Sequence, residues 1–281
     1  MSYDNSYKNL IRRLKVLLHE LRMRVFEANN YLKALFNNSG PPINRFIIFG
    51  NYRTGSHLLT SLLNSHPETM CDGEIFHKFV KFKVKAVASP TLYMDGLSIR
   101  MCMKDKKSTY GCNVKLHQLA TVLTRFHKAP QEVMFNLYQN GWKIIHLKRL
   151  NILRQAISDI TAYKRGQGHD TRDRPLIRSR VSIDCIDLIL KMKWMEYHLI
   201  SEDEILGTLP CMTIVYENDL LRSEKHQTTV DKIFNFLGLN SVPVQTTFVR
   251  VSSDQLSDHI QNYEEVARVI SKTKYAGFFK E

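Results

Sequence analysis

Apolar positions follow two different rhythms along this chain. Short apolar runs bounded by turn residues recur, and between them apolar residues return every three or four positions. The first rhythm reads as buried parallel strand and the second as amphipathic helix. Runs of the first kind lie at residues 46–49, after Pro-Pro-Ile-Asn, and at 110–116, 143–147 and 211–216. Helical spacing covers residues 56–63, with Leu58, Leu59, Leu62 and Leu63 on one face. It recurs at 118–126, 131–138 (closed by Gly141), 151–164, 182–201, 230–237 (closed by Gly238) and 256–272. Asn151 is placed to cap its helix. Strands alternating with helices predict an α/β fold, a P-loop-like parallel sheet with helices on both faces. Residues 68–74 read as a turn-rich connection, and residues 75–109 are basic with no rhythm that places an element.

The N-terminal segment stands apart. Leu10, Ile11, Leu14, Leu17, Leu18, Leu21 and Val25 recur at helical spacing among Arg12, Arg13, Lys15, Arg22 and Arg24. Residues 1–36 hold seven Lys/Arg against three acids (Asp4, Glu20 and Glu27), so seven minus three leaves a net +4. A basic amphipathic helix of this kind makes a peripheral contact with an anionic membrane, or packs on its own domain or on a second copy in a homo-oligomer. Asn-Ser-Gly-Pro-Pro at residues 38–42 reads as a linker, which divides the chain into a helical segment at 1–38 and an α/β domain at 43–281.

Composition narrows the partners. The 281 residues are 43% hydrophobic, ample for a core, and carry a formal charge of +13. That balance calls for an anionic partner such as a nucleotide, a nucleic acid, an acidic glycan or a lipid surface. Cys71, Cys102, Cys112, Cys185 and Cys211 are scattered, with no C-x-x-C pair, and read as reduced thiols of a cytoplasmic protein. No signal peptide and no run of membrane-spanning length is evident. No aromatic-basic motif or helix-turn-helix signature supports nucleic-acid binding, so none is expected.

Candidate chemistry concentrates at strand ends. Gly50 and Gly55 bound a turn between the 46–49 strand and the 56–63 helix, a layout that aims backbone N–H groups at a phosphate. The spacing is that of the triphosphate loop, but Ser56-His57 stands where Lys-Ser/Thr is required, and the cation is Arg53, inside the loop. The alternative is a glycine-containing turn with no ligand. The 143–147 strand ends in Lys148-Arg149, where a triphosphatase shows an acid for magnesium. A second phosphate group is the better match, with no metal. Residues 164–180 form a long loop with six Lys/Arg and two Asp. Glu217, after the 211–216 strand, is expected to tie that strand end to a neighbouring loop. Trp194, Phe234 and His146 read as packed residues, and Lys115 as exposed or reaching a pocket.

FGNYRTGSHLLTSLL resembles the 5′-phosphosulfate loop of sulfotransferases, and IIHLKRLNILRQAIS resembles their 3′-phosphate motif. LSDHIQNYEEVARVISKTKY is similar to the family's C-terminal segment, so the resemblance runs over residues 45–281. The variant resembles the bacterial carbohydrate sulfotransferases, including the nodulation-factor and trehalose types, more than the animal cytosolic enzymes with their Pro-Lys-Ser-Gly-Thr loop. The resemblance implies PAPS (3′-phosphoadenosine 5′-phosphosulfate) as donor and transfer of a sulfuryl group to a carbohydrate or glycolipid acceptor. It implies that Arg53, Thr54, Gly55, Ser56 and His57 cradle the 5′-phosphosulfate, that Arg149 and Ser158 hold the 3′-phosphate, and that Glu74 is the base. His57 departs from the Ser, Thr or Asn usual at its position, and His77 and His117 are other candidate bases. The competing functions are a nucleotide or small-molecule kinase and a basic nucleic-acid-binding protein.

Overall fold

The computed structural model describes residues 2–37, 42, 44–82, 87–166, 179–248 and 255–279, without the side chains of residues 2–6, 9 and 12. In chain order its elements are α1 (Ser2–Phe36), β1 (Asn44–Phe49), α2 (Ser56–Leu63), β2 (Thr69–Glu74), α3 (His77–Lys81), α4 (Pro90–Asp105), β3 (Thr109–Val114), α5 (Leu116–Leu123), α6 (Pro130–Gln139), β4 (Trp142–Lys148), α7 (Ile152–Arg165), α8 (Cys185–Leu206), β5 (Cys211–Val215), α9 (His226–Leu237) and α10 (Tyr263–Ile270). The strands form a five-stranded parallel sheet in the order β2-β3-β1-β4-β5. The fold class is the α/β architecture that the alternating pattern predicts. Contacts divide the chain into two units, residues 1–47 with 68–143 and residues 48–67 with 144–281.

The four predicted strands and the α2 and α7 helices form within a residue or two of their expected limits. The 38–41 part of the expected linker and residues 167–178 of the expected loop lie outside the described residues. The expected 256–272 helix forms only over Tyr263–Ile270, after a short turn at Leu256–Asp258. Two further expectations fail. Residues 68–74 are not a turn-rich connection, because Thr69–Glu74 pairs with β3 as an edge strand. Asp, Gly and Glu have poor strand propensity, but pairing with a fully buried neighbour overrides it. The unplaced stretch contains α3 and the sixteen-residue α4. Tyr93, Met94, Gly96, Leu97, Ser98, Ile99 and Cys102 of α4 are all buried, small and polar residues included, which blurs the 3.6-residue rhythm.

In the first unit, close approach sets the packing. A Cβ on Gly111 of β3 would meet the Phe46 ring at 2.0 Å, and one on Gly96 of α4 would lie 1.7 Å from the Asn30 carbonyl oxygen. Gly96 therefore lets α1 lie directly against α4. Glu27 of α1 accepts from the Ala88 amide (3.1 Å), and the Ser89 amide donates to the Tyr31 hydroxyl (3.0 Å). Side chains of α1 thus cap the start of α4, where backbone donors lack helical partners and a negative charge is favoured. Burial and the neighbouring Glu27 push the Tyr31 phenol well up. In the second turn of α4, Asp95 accepts from Arg45 Nη1 (2.6 Å) and Trp142 Nε1 (2.8 Å).

In the second unit, α7, α8 and α10 share an apolar cluster that includes Leu153, Ala156, Leu188, Met192, Val266 and Ile270. Asn151 caps α7 as expected, accepting from the Arg154 amide at 2.9 Å. The five cysteines are free thiols. No helix among the described residues is long and apolar enough to cross a membrane.

Candidate functional site at the ends of β1 and β4

The turn after β1 admits few residue types. A Cβ on Gly50 would lie 2.3 Å from the Leu147 carbonyl oxygen of β4, so only glycine lets the chain leave the sheet there. Asn51 then organises the turn: its Oδ1 accepts from the Tyr52 amide (2.7 Å), and its carbonyl accepts from Thr54 Oγ1 (3.0 Å). Arg53 has φ 59°, a left-handed conformation that costs a side-chain-bearing residue of order 1 kcal/mol. Gly55 has φ 89°, where glycine is at ease, and a Cβ there would also strike the Tyr216 ring at 2.7 Å. The helix ladder opens with the Leu59 amide on the Gly55 carbonyl (3.0 Å). Thr54 and Ser56 are buried and His57 is half-buried in the first turn of α2.

Arg149 stands at the end of β4, only 8% exposed. Its Nη1 donates to the Arg53 carbonyl at 2.9 Å, which holds the strained residue in place. Its guanidinium lies 4.6 Å from the centre of the Tyr216 ring, and its Nε is 3.7 Å from Glu217 Oε1. That Nε makes no hydrogen bond among the described residues. Burial pulls the Arg149 pKa down, with Tyr216 and Glu217 acting against it, yet the guanidinium stays charged. Glu217 spends its oxygens on the Leu150 and Asn151 amides (3.0 and 3.1 Å), tying the end of β5 to the β4–α7 loop as the sequence indicates. Gln155 Nε2 donates to the Tyr52 carbonyl at 2.5 Å, and Arg53 Nε donates to Ser158 Oγ at 3.1 Å.

Arg53, Arg149 and Ser158 therefore come together, joined through the Arg53 carbonyl and the Ser158 hydroxyl. The cluster is cationic, partly buried and seated at the positive end of α2. Chemically such an arrangement can receive an oxyanion. Tyr216, absent from the sequence-based set, is the missed member, serving as a flat support for the Arg149 guanidinium and a wall beside Gly55. Its position directly before Glu217 at a strand end was the available signal.

Glu74 belongs to the other unit, at the end of β2. The pairing of β2 with β3 slips between Asp72 and Glu74, leaving Gly73 as an extra residue. Such a bulge re-aims the side chain that follows it. Glu74 accepts from Gln118 Nε2 at 2.6 Å and lies 3.8 Å from Nδ1 of the exposed His77. Lys115, immediately after β3, is fully buried. His146 is packed as expected, its Nε2 3.3 Å from Glu202 Oε2. Phe234 is fully buried, and Trp194 is half-buried, its ring 6.2 Å from that of Tyr52.

No family model and no curated protein matches the chain. Among solved structures, it is similar to a sulfotransferase from Alicyclobacillus acidocaldarius, with 14% identity, 84% of this chain and 94% of that one covered, and a TM-score of 0.45. It is also similar to the sulfotransferase STF9 from Mycobacterium avium, with 10% identity, 83% of this chain and 76% of that one covered, and a TM-score of 0.46.

Proposed function

We propose that this chain is a sulfotransferase that moves a sulfuryl group from PAPS to a hydroxyl of a carbohydrate or glycolipid. The observation that carries the reading is Arg149: a buried guanidinium at a strand end, with an Nε that no described group hydrogen-bonds, one contact away from Arg53 and Ser158. A buried donor without an acceptor costs roughly 1–3 kcal/mol, which an oxyanion at that place would recover. The residues fit a nucleotide that carries anionic groups on two sides of its ribose. The loop has no lysine after Gly55 and the end of β4 has no acid, so a triphosphate with magnesium fits less well.

When bound, PAPS supplies the sulfuryl group and a leaving nucleotide whose bridging oxygen gathers negative charge. Arg149 and Ser158 bind the 3′-phosphate through charge-assisted hydrogen bonds. Thr54, Gly55, Ser56 and His57, with the first amides of α2, hold the phosphosulfate end. Arg53 neutralises charge there from a turn already bent to receive it, so little reorganisation is needed. Its contact with Ser158 supports a position between the two anionic ends. Glu74 takes the proton from the acceptor hydroxyl, a role assigned on the resemblance and on the chemistry of a poor nucleophile.

Thermal shift with 3′-phosphoadenosine 5′-phosphate (PAP), ATP and an oligonucleotide tests the class, since stabilisation follows affinity. PAP is expected to give the largest shift. A larger shift with ATP and magnesium overturns the reading in favour of a kinase, and one with the oligonucleotide in favour of a nucleic-acid binder. Transfer of labelled sulfate from PAPS into a glycan and lipid extract then identifies the acceptor.

A further inference from the structure

We infer that the solvent-facing side of α1 is a docking surface for a membrane rich in anionic lipid. The helix has two dissimilar sides. One packs on α4, with Glu27 4% exposed, Asn30 fully buried and the backbones in contact at Gly96. On the other, at about 100° per residue, Leu10, Leu14, Leu17, Leu21, Val25 and Leu32 make one continuous row. These side chains are 54, 49, 63, 61, 53 and 52% exposed. A soluble protein rarely presents so long an apolar stripe without a partner for it.

The charges beside the row decide which partner. Arg13, Lys15, Arg22 and Lys33 are exposed on its two flanks. Among the described side chains of α1 the acids are Glu20, half-buried, and Glu27, buried on the α4 side. Among the described side chains, no exposed acid therefore accompanies the row. A coiled coil between two copies would set basic flanks against basic flanks, with no exposed carboxylate among the described side chains to answer them. An anionic lipid surface meets both demands: the leucines enter the acyl boundary, while the long basic side chains reach up to the headgroups. The helix would lie in the interface plane rather than cross it.

The test uses the full chain and sedimentation with vesicles of phosphatidylcholine alone or mixed with phosphatidylserine. Binding is expected only to the mixed vesicles, and is expected to weaken as salt rises. Arg13→Glu/Arg22→Glu should weaken it by about thirtyfold or more. Leu17→Ser/Leu21→Ser should weaken it by at least about tenfold. Both variants should melt as the parent does, because the altered side chains face solvent. Equal binding to both vesicle types, or variants that bind as the parent does, would overturn the inference. So would lowered melting, which would mean the protein covers this face itself. A solution dimer dissolved by the leucine changes would assign the face to a second copy instead.

Discussion

The ends of β1 and β4 and the end of β2 are built on opposite plans. At the first, Arg149 holds the Arg53 carbonyl, Gln155 holds the Tyr52 carbonyl, Glu217 holds two amides, and two glycines stand where no other residue fits. At the second, Glu74 follows a bulged glycine with open space around it and leans on Gln118. A rigid cationic receiver suits a donor with fixed phosphates, since preorganised charge needs no rearrangement during reaction. A carboxylate in the proposed role of base needs only its proton affinity and access. The two regions should thus fail differently when altered.

The largest expected effect is at the looser end. Glu74→Gln keeps the shape and removes the proposed proton acceptor, and should lower the catalytic constant by about two to four powers of ten with donor affinity nearly unchanged. Near-normal turnover in Glu74→Gln, combined with loss of turnover in His77→Ala or His57→Ala, would hand the base role to a histidine. Next comes Arg149→Ala. Losing charged hydrogen bonds should cost PAP binding about 1.5–3 kcal/mol, roughly ten- to a hundredfold in affinity. Adenosine 5′-phosphosulfate, which lacks the 3′-phosphate, should be little affected in calorimetric titration. Equal losses for both ligands would mean that Arg149 acts only by shaping the loop through the Arg53 carbonyl.

Glycine substitutions sharpen the same contrast at lower cost. Gly50→Ala drives a methyl into the Leu147 carbonyl and should cost about 1–3 kcal/mol in thermal or denaturant unfolding. Gly73→Ala meets nothing within 4 Å, so its unfolding free energy should stay within about 0.5 kcal/mol of the parent. If Gly50→Ala were tolerated and Gly73→Ala were not, the assignment of rigid and loose ends would be reversed.

What the sequence by itself determined is the set of features with local causes. The apolar run at Phe46 to Phe49, the glycine-bounded turn and the Asn151 cap all rest on residue types whose backbone or hydrogen-bonding demands act within a few positions. Residue order alone also exposed the basic, amphipathic character of α1. Only tertiary structure decided which side of that helix is covered, because the choice depends on Gly96 and the amides at the start of α4, more than fifty residues away. It likewise made a strand of Thr69–Glu74, whose residues have no such tendency until β3 supplies the partner hydrogen bonds. It also put Arg149 against Tyr216 and joined Arg53 to Ser158 across 105 positions, contacts that no local pattern encodes because they arise only when strand ends are gathered by the sheet.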